Sequence, residues 1–140
     1  QNKIEEWSMR FFYAPTNKQM KDLGSRKSDY PWLSYHEANK YREAARRRGV
    51  SHTARTSGFM KVYQACKYAD RMKKKEVKGS AHTWRLKRYN FIRRFIGSYN
   101  RKRTLRVYLA LLMWAYKPTH LPRGYKRVKT TFGYDFVPDR

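Results

Sequence analysis

The sequence predicts an all-α protein: a small bundle of about four to five helices with extended N-terminal and C-terminal arms. Apolar residues recur at three- and four-residue steps through the middle of the chain, which is typical of helices with one buried face. Residues that start and stop helices flank these segments, whereas Pro and Gly punctuate the chain near both ends. The chain is therefore divided into an N-terminal helix and extended arm (1–33), a helical core domain (34–118) and an extended basic and aromatic tail (119–140).

The N-terminal segment is predicted to contain one helix, over residues 2–13, because Ile4, Trp7 and Phe11 recur at helical spacing. Pro15 ends this helix. The residues that follow are rich in Lys, Ser, Asp and Gly, and they are predicted to form an extended arm with two aromatic anchors. The anchors are Tyr30 and Trp32.

The core domain is predicted to begin with a helix over residues 34–48. Ser34 and Glu37 form a capping box, in which the Ser34 side chain accepts from the Glu37 N–H and the Glu37 side chain reaches back. Gly49 suits the position just past the helix end. The apolar stripe of this helix consists of Tyr35, Ala38, Tyr41 and Ala45.

Three more helices are predicted over residues 57–73, 81–96 and 103–116, with Gly97 ending the second and Pro118 the third. The second half of the last helix is apolar on nearly every side, which predicts that it lies at the centre of the core. The residues expected inside the core are Trp84, Phe91, Phe95, Leu109, Leu112 and Trp114.

The C-terminal tail alternates aromatic and basic residues between Pro and Gly, and it is predicted to be an extended segment that docks on another surface. A short hairpin through residues 125–136 is the alternative, although its turn residues are poor ones for a hairpin.

The charge of the chain is the strongest indication of its partner. The 34 Lys and Arg against 10 Asp and Glu give a formal net charge of +24. Such an excess repels itself in the compact state, and the phosphates of nucleic acid are the usual neutraliser. Aromatic residues make up 16% of the chain, which argues against a charged disordered tail. No run approaches the roughly 20 apolar residues of a membrane span.

The positive charge is concentrated in the C-terminal half, because no Asp or Glu occurs from Val77 to Tyr134. We therefore expect a polyanion-binding surface there, with a solvated cationic face as the alternative. Its predicted residues are Arg85, Lys87, Arg88, Arg93, Arg94, Arg101, Lys102, Arg103, Arg106, Arg123, Lys126, Arg127 and Lys129. A secondary basic cluster is predicted at Arg46, Arg47, Arg48, Lys73, Lys74 and Lys75.

No arrangement of residues indicates catalysis, a metal or a cofactor. His36-Glu37 begins like a zinc-protease motif, but Lys40 stands where the second histidine is required. Cys66 is the only cysteine, so the chain has no intramolecular disulfide, and its place on an apolar stripe suits a small core residue. We expect a non-enzymatic protein with no cofactor.

Residues 45–55 are similar to the turn of a helix-turn-helix, with Gly-Val-Ser after a small residue and polar residues entering a second helix. Gly58 follows soon afterwards and is a poor interior residue for that helix. A helix C-cap followed by a loop is the preferred interpretation.

Three blocks, residues 54–63, 84–94 and 109–118, resemble in order and spacing small basic proteins of unassigned function from algal and other large DNA viruses and from some phages. The resemblance spans about residues 34–118 and brings no catalytic residues with it. It implies a viral source and a structural part of a virion, with residues 1–33 and 119–140 as capsid-docking arms.

The expected function is that of a minor structural protein of a virion, which contacts genome, membrane headgroups or acidic capsid surface while its terminal arms bind neighbouring proteins. A ribosomal protein, cytoplasmic or organellar, is the first alternative, since small basic proteins with Tyr- and Arg-rich extensions also thread between RNA helices. A DNA-binding protein that reads sequence through residues 44–60 is the second.

Overall fold

The computed structural model describes residues 30–66, 72 and 79–139. Its α-helices are α1 (Tyr35–Asn39), α2 (Arg42–Arg47), α3 (Phe59–Ala65), α4 (Gly79–Lys102) and α5 (Leu105–Leu112), and a π-helical segment (Thr53–Ser57) precedes α3. Strands β1 (Tyr125–Thr130) and β2 (Gly133–Pro138) form a two-stranded antiparallel sheet. The protein is mostly helical, and the sheet corrects the prediction of a purely all-α fold. The helix predicted at 2–13 lies outside the described residues.

The helix predicted over 34–48 is divided into α1 and α2. Ser34 caps α1 as predicted, since its hydroxyl accepts from the Glu37 N–H at 3.1 Å. The Glu37 carboxylate accepts from the Lys40 Nζ at 2.8 Å rather than from the Ser34 N–H, so the reciprocal half of the predicted capping box is wrong. The break lies at Lys40, whose carbonyl accepts at 3.0 Å from the Tyr134 N–H of β2. That carbonyl is directed towards the hairpin and is not used in a continuous helix ladder.

The end of α2 confirms the predicted role of Gly49. This glycine has a φ of 81°, and the Val50 N–H donates to the Ala45 carbonyl at 3.0 Å, while the Gly49 N–H donates to Arg46. These two bonds form a Schellman motif, in which the residue after the helix adopts a left-handed conformation.

The two helices after α3 differ from the prediction at their ends. Helix α4 continues through Gly97, where a stop was predicted, as far as Lys102. Helix α5 begins at Leu105, with Thr104 as its N-cap, and ends at Leu112 in a second Schellman motif with Ala115 at φ 56°. Pro118 lies beyond that motif and does not end the helix. Of the helix predicted over 57–73, the structure describes α3 and the helical residue Met72.

The core is built around α5 and the turn after it, as the apolar run predicts. Trp114 stacks on Phe91 with ring centroids 4.7 Å apart and on Phe59 at 5.4 Å. The C-terminal segment packs on this same core, because Phe136 of β2 is 1% exposed and meets the Tyr108 ring edge-on at 5.4 Å. Residues 125–138 are therefore a hairpin that docks on the chain's own core, and the predicted extended tail is wrong for this segment.

Candidate nucleic-acid interface

The predicted polyanion-binding residues separate into a buried group and an exposed group. Arg85, Lys87 and Arg88 are 8%, 5% and 0% exposed, so their place in the predicted surface is corrected. The others lie wholly or partly at the surface. In the secondary cluster, residues 73–75 lie outside the described residues.

Arg88 is a structural residue, and its guanidinium is used entirely within the fold. Nε donates to the Trp114 carbonyl at 2.7 Å, Nη2 to Pro31 at 2.6 Å and to Ala115 at 3.1 Å, and Nη1 to Tyr30 at 3.1 Å. These carbonyls belong to the turn after α5 and to the extended segment that precedes α1. One buried cation therefore joins these two parts of the chain, which removes it from any contact with a polyanion.

The side chain of Lys87, one residue earlier, lies over the ring of Trp84 with Nζ 4.3 Å from the centroid. Burial lowers the pKa of Lys87, because an ammonium group is less favourable in an apolar setting than in water. Lys87 thus belongs mainly to the packing of the first half of α4.

The second half of α4 presents arginines to solvent. Arg93, Arg94 and Arg101 are exposed, and they lie on one side of the helix around the exposed Gly97. A Cβ built on Gly97 would have the Arg101 Nη1 at 3.6 Å as its nearest contact outside the local helix backbone. These arginines form a cationic stripe about 12 Å long, at 1.5 Å of rise per residue.

The stripe runs into a basic corner at the end of α4, which consists of Arg101, Lys102, Arg103 and Arg123. Lys102 is the last residue of α4, and Arg103 makes the turn into α5 with a φ of 49°. The Arg123 N–H donates to the Arg103 carbonyl at 2.8 Å, so the segment before β1 is fixed beside this turn. We define the basic surface as Arg93, Arg94, Arg101, Lys102, Arg103, Arg106 and Arg123.

The basic surface continues onto α2 through Arg106, a contact that the sequence did not predict. The Arg106 Nε donates to the Arg48 carbonyl at 3.0 Å, and its Nη2 lies 2.8 Å from where a Cβ on Gly49 would be. Gly49 therefore both ends α2 and leaves room for this guanidinium. Arg48 in turn lies over the ring of Tyr125, at 5.7 Å from its centroid.

The other two arginines of the secondary cluster are ion-paired. Arg46 and Arg47 both contact the Glu43 carboxylate, and Arg47 also pairs with Asp135 at 2.9 Å. The hydrogen bond from Arg46 lowers the pKa of Glu43. Their charge is partly neutralised within the chain, which distinguishes them from Arg48.

The cations of the hairpin are mixed with aromatic rings. Arg127 donates to the Tyr41 hydroxyl at 2.9 Å and lies 4.6 Å from the centroid of the Tyr134 ring. Lys126 and Lys129 are exposed on the same strand. Arg127 thus attaches the hairpin to the core while it stays partly at the surface, and Lys126 and Lys129 are the other exposed charges of the strand.

The described part of the chain contains neither a cluster of metal ligands nor a membrane-spanning helix. No group of three or more His, Cys, Asp or Glu side chains there is placed to hold a metal ion. No helix among residues 30–66, 72 and 79–139 has the length and apolar character to cross a bilayer.

Comparisons of the chain with protein families, with curated proteins and with solved structures give no match.

Proposed function

We propose that the protein is a non-enzymatic structural component of a large assembly, and that it binds the phosphate backbone of nucleic acid through the basic surface. The observation that carries the proposal is the convergence of α4, the α4–α5 turn, α5 and the segment before β1 on one cationic area. Charges that are distant in sequence are thereby presented together, as a continuous line of phosphates requires.

The charges of the basic corner are not matched by carboxylates of the described residues. The ion pairs among the described residues lie elsewhere: between α1 and Lys40, within α2, and between α2 and β2. None of them includes Arg101, Lys102 or Arg123. An external polyanion would compensate these charges, and association with it is strengthened by the release of counterions.

The residue type of the basic surface suits a partner that bears phosphates. Six of the seven residues of the basic surface are arginines, whose planar guanidinium binds a phosphate through two parallel hydrogen bonds. The backbone of two of the arginines is fixed, since Arg103 lies in the turn between α4 and α5 and the Arg123 N–H donates to the Arg103 carbonyl. A pre-positioned cation loses less conformational entropy on binding.

The assembly that we propose is a virion. This setting rests on the resemblance of residues 34–118 to small basic proteins of large DNA viruses and phages, and the terminal segments are proposed to bind neighbouring capsid proteins. A ribosome is the competing setting. Mass spectrometry of purified particles, set beside co-sedimentation with ribosomal subunits, distinguishes the two.

Sequence-specific reading by a helix-turn-helix receives no support from the geometry. The segment after Gly49 is a short π-helical turn with a buried Ala54, and it stops at Gly58. Helix α3 then uses Phe59, Met60 and Tyr63 for the core. A recognition helix needs an exposed face of base-reading side chains at this position.

The proposal is tested by fluorescence anisotropy with the full chain and labelled duplex DNA between 50 and 200 mM salt. A triple variant, Arg101→Gln with Lys102→Gln and Arg123→Gln, removes three charges from the basic corner. Arg46→Gln with Lys61→Gln and Lys117→Gln removes three exposed charges elsewhere and is the matched control. We expect the first triple to reduce the slope of log Kobs against log[salt] by about 3, at about 0.9 per phosphate contact, and the control to change it by less than about 1.

Equal losses in the two triple variants would show that net charge alone drives binding and would contradict the proposal. Failure of the unaltered chain to bind DNA or RNA, together with tight binding to vesicles containing anionic lipid, would overturn it in favour of a membrane surface.

A further inference from the structure

The turn of the hairpin presents an aromatic side chain to solvent. Phe132 is 83% exposed, in the two-residue connection between the paired residues Thr130 and Gly133. Leu121, at 44%, is the other large apolar side chain exposed among the described residues. Because the Phe132 ring is not buried, it contributes little hydrophobic stabilisation to the fold.

The base of this turn is fixed against the core, so the ring projects from a rigid support. The Tyr134 N–H donates to the Lys40 carbonyl, and a Cβ on Gly133 would overlap that carbonyl oxygen. The Tyr134 ring is packed 5.1 Å from the Tyr41 ring, with Lys40 and Arg127 over its face. The tip cannot fold back onto α1 without losing these contacts.

The electrostatic surroundings of the tip suit a polyanion. Lys126, Arg127 and Lys129 are exposed on β1, whereas Asp135, the only carboxylate of the two strands, is paired with Arg47. The other end of the hairpin lies at Tyr125, beside Arg48 and two residues from Arg123 of the basic surface. Five residue steps of a strand, about 17 Å, separate that end from the tip.

We propose that Phe132 stacks on an unpaired nucleobase of the same nucleic acid whose phosphates lie on the basic surface. The inference rests on the proposed function and adds to it a contact with the face of a base. A base presents an apolar π-face with phosphates on either side, which matches an aromatic tip flanked by cations. Stacking of this kind tolerates any sequence, because every base has such a face.

The test compares binding of a single-stranded oligothymidine and of a DNA duplex to the full chain and to Phe132→Ala, at one salt concentration. We expect the variant to bind the single strand about 5- to 140-fold more weakly, which is 1–3 kcal/mol of one base–aromatic stack at 1.4 kcal/mol per factor of ten. Duplex affinity should change less than about 2-fold, because paired bases are not available. Phe132→Trp should bind the single strand at least as tightly as the unaltered chain.

Leu121→Ala removes the other exposed apolar side chain and is the matched control, for which single-strand affinity should stay within about 2-fold. Because Phe132 is exposed, its truncation should leave thermal unfolding unchanged, and a melting curve of each variant verifies this. Single-strand affinity within 2-fold in Phe132→Ala would overturn the stacking contact, as would an equal loss for duplex. Loss of incorporation into particles with unchanged oligonucleotide affinity would assign the ring to a protein pocket and also overturn it. The proposed function fails separately, if the unaltered chain binds neither nucleic acid.

Discussion

Replacement of Arg88 by methionine tests whether this side chain holds the turn after α5 to the segment before α1. Methionine keeps much of the side-chain stem but removes every donor, and it leaves the carbonyls of four residues without their buried partner. It also removes the guanidinium 3.8 Å from the centroid of the Trp32 ring. A buried carbonyl that loses its donor costs about 1–3 kcal/mol, so the loss of these contacts, two of them only partly buried, should destabilise the fold by about 3–5 kcal/mol. That is a large fraction of the roughly 5–15 kcal/mol by which native domains are stable.

Urea unfolding followed by tryptophan fluorescence measures this loss, since Trp32 and Trp114 both lie at the Arg88 site. We expect Arg88→Lys to lose less, about 2–3 kcal/mol, because an ammonium group can still reach some of the carbonyls but not in the planar arrangement of a guanidinium. Arg93→Met, at an exposed position on the same helix, is the matched control and should stay within about 0.5 kcal/mol of the unaltered chain.

Hydrogen exchange gives a local measure of the same network. The Leu33 N–H donates to the Ala115 carbonyl at 2.7 Å, a carbonyl that Arg88 also binds. Its exchange should be faster in Arg88→Met than in Arg93→Met. Stability within about 1 kcal/mol of the unaltered chain in Arg88→Met, together with unchanged exchange at Leu33, would show that Arg88 does not hold these two parts of the chain together.

Four further substitutions have expected effects of different sign on the free energy of unfolding, all measurable by urea denaturation. Gly133→Ala should destabilise by about 2–3 kcal/mol, because the new Cβ would overlap the Lys40 carbonyl; no loss would show that the hairpin is not fixed there. Gly97→Ala should stabilise the protein by up to about 1 kcal/mol, because it replaces a helix-interior glycine where a Cβ meets only ordinary contacts. A loss of stability would show that there is no room for a Cβ at this position. Tyr108→Phe should be neutral or should stabilise by about 1 kcal/mol, because the buried Tyr108 hydroxyl has no partner among the described residues. Tyr99→Phe should destabilise by about 1 kcal/mol, because the Tyr99 hydroxyl donates to a carbonyl at 2.7 Å. A larger loss in Tyr108→Phe than in Tyr99→Phe would contradict both assignments.

The local features of the fold could be predicted from the sequence because each depends on a few adjacent residues. The Ser34 cap, the left-handed Gly49 and the burial of α5 follow from short motifs or from a continuous apolar run. The break at Lys40 could not be predicted in this way, since it depends on a hydrogen bond to Tyr134.

Helix α4 shows why a glycine alone does not end a helix. The residues after Gly97 still contribute to the core, because Tyr99 is 1% exposed and its hydroxyl donates to the His120 carbonyl. Tertiary packing of this kind outweighs the low helix propensity of one residue.

The candidate site could be predicted only as a region of the sequence. The acid-free half contains the basic surface, but it also contains Arg88, whose charge alone gives no indication that four carbonyls surround it. The contact of Arg106 with Arg48 joins residues that the sequence assigned to different clusters. Which cations converge depends on the path of the backbone.

The measurement that tests the basic surface most directly is protection of arginines from a dicarbonyl reagent, such as phenylglyoxal, read by peptide mass spectrometry with and without saturating duplex DNA. We expect nucleic acid to protect Arg93, Arg101, Arg103 and Arg123. Arg46 should be modified equally in both samples, and Arg88 should be modified in neither. Protection centred on Arg46, or no difference at the four arginines in a sample shown to be saturated, would contradict this expectation.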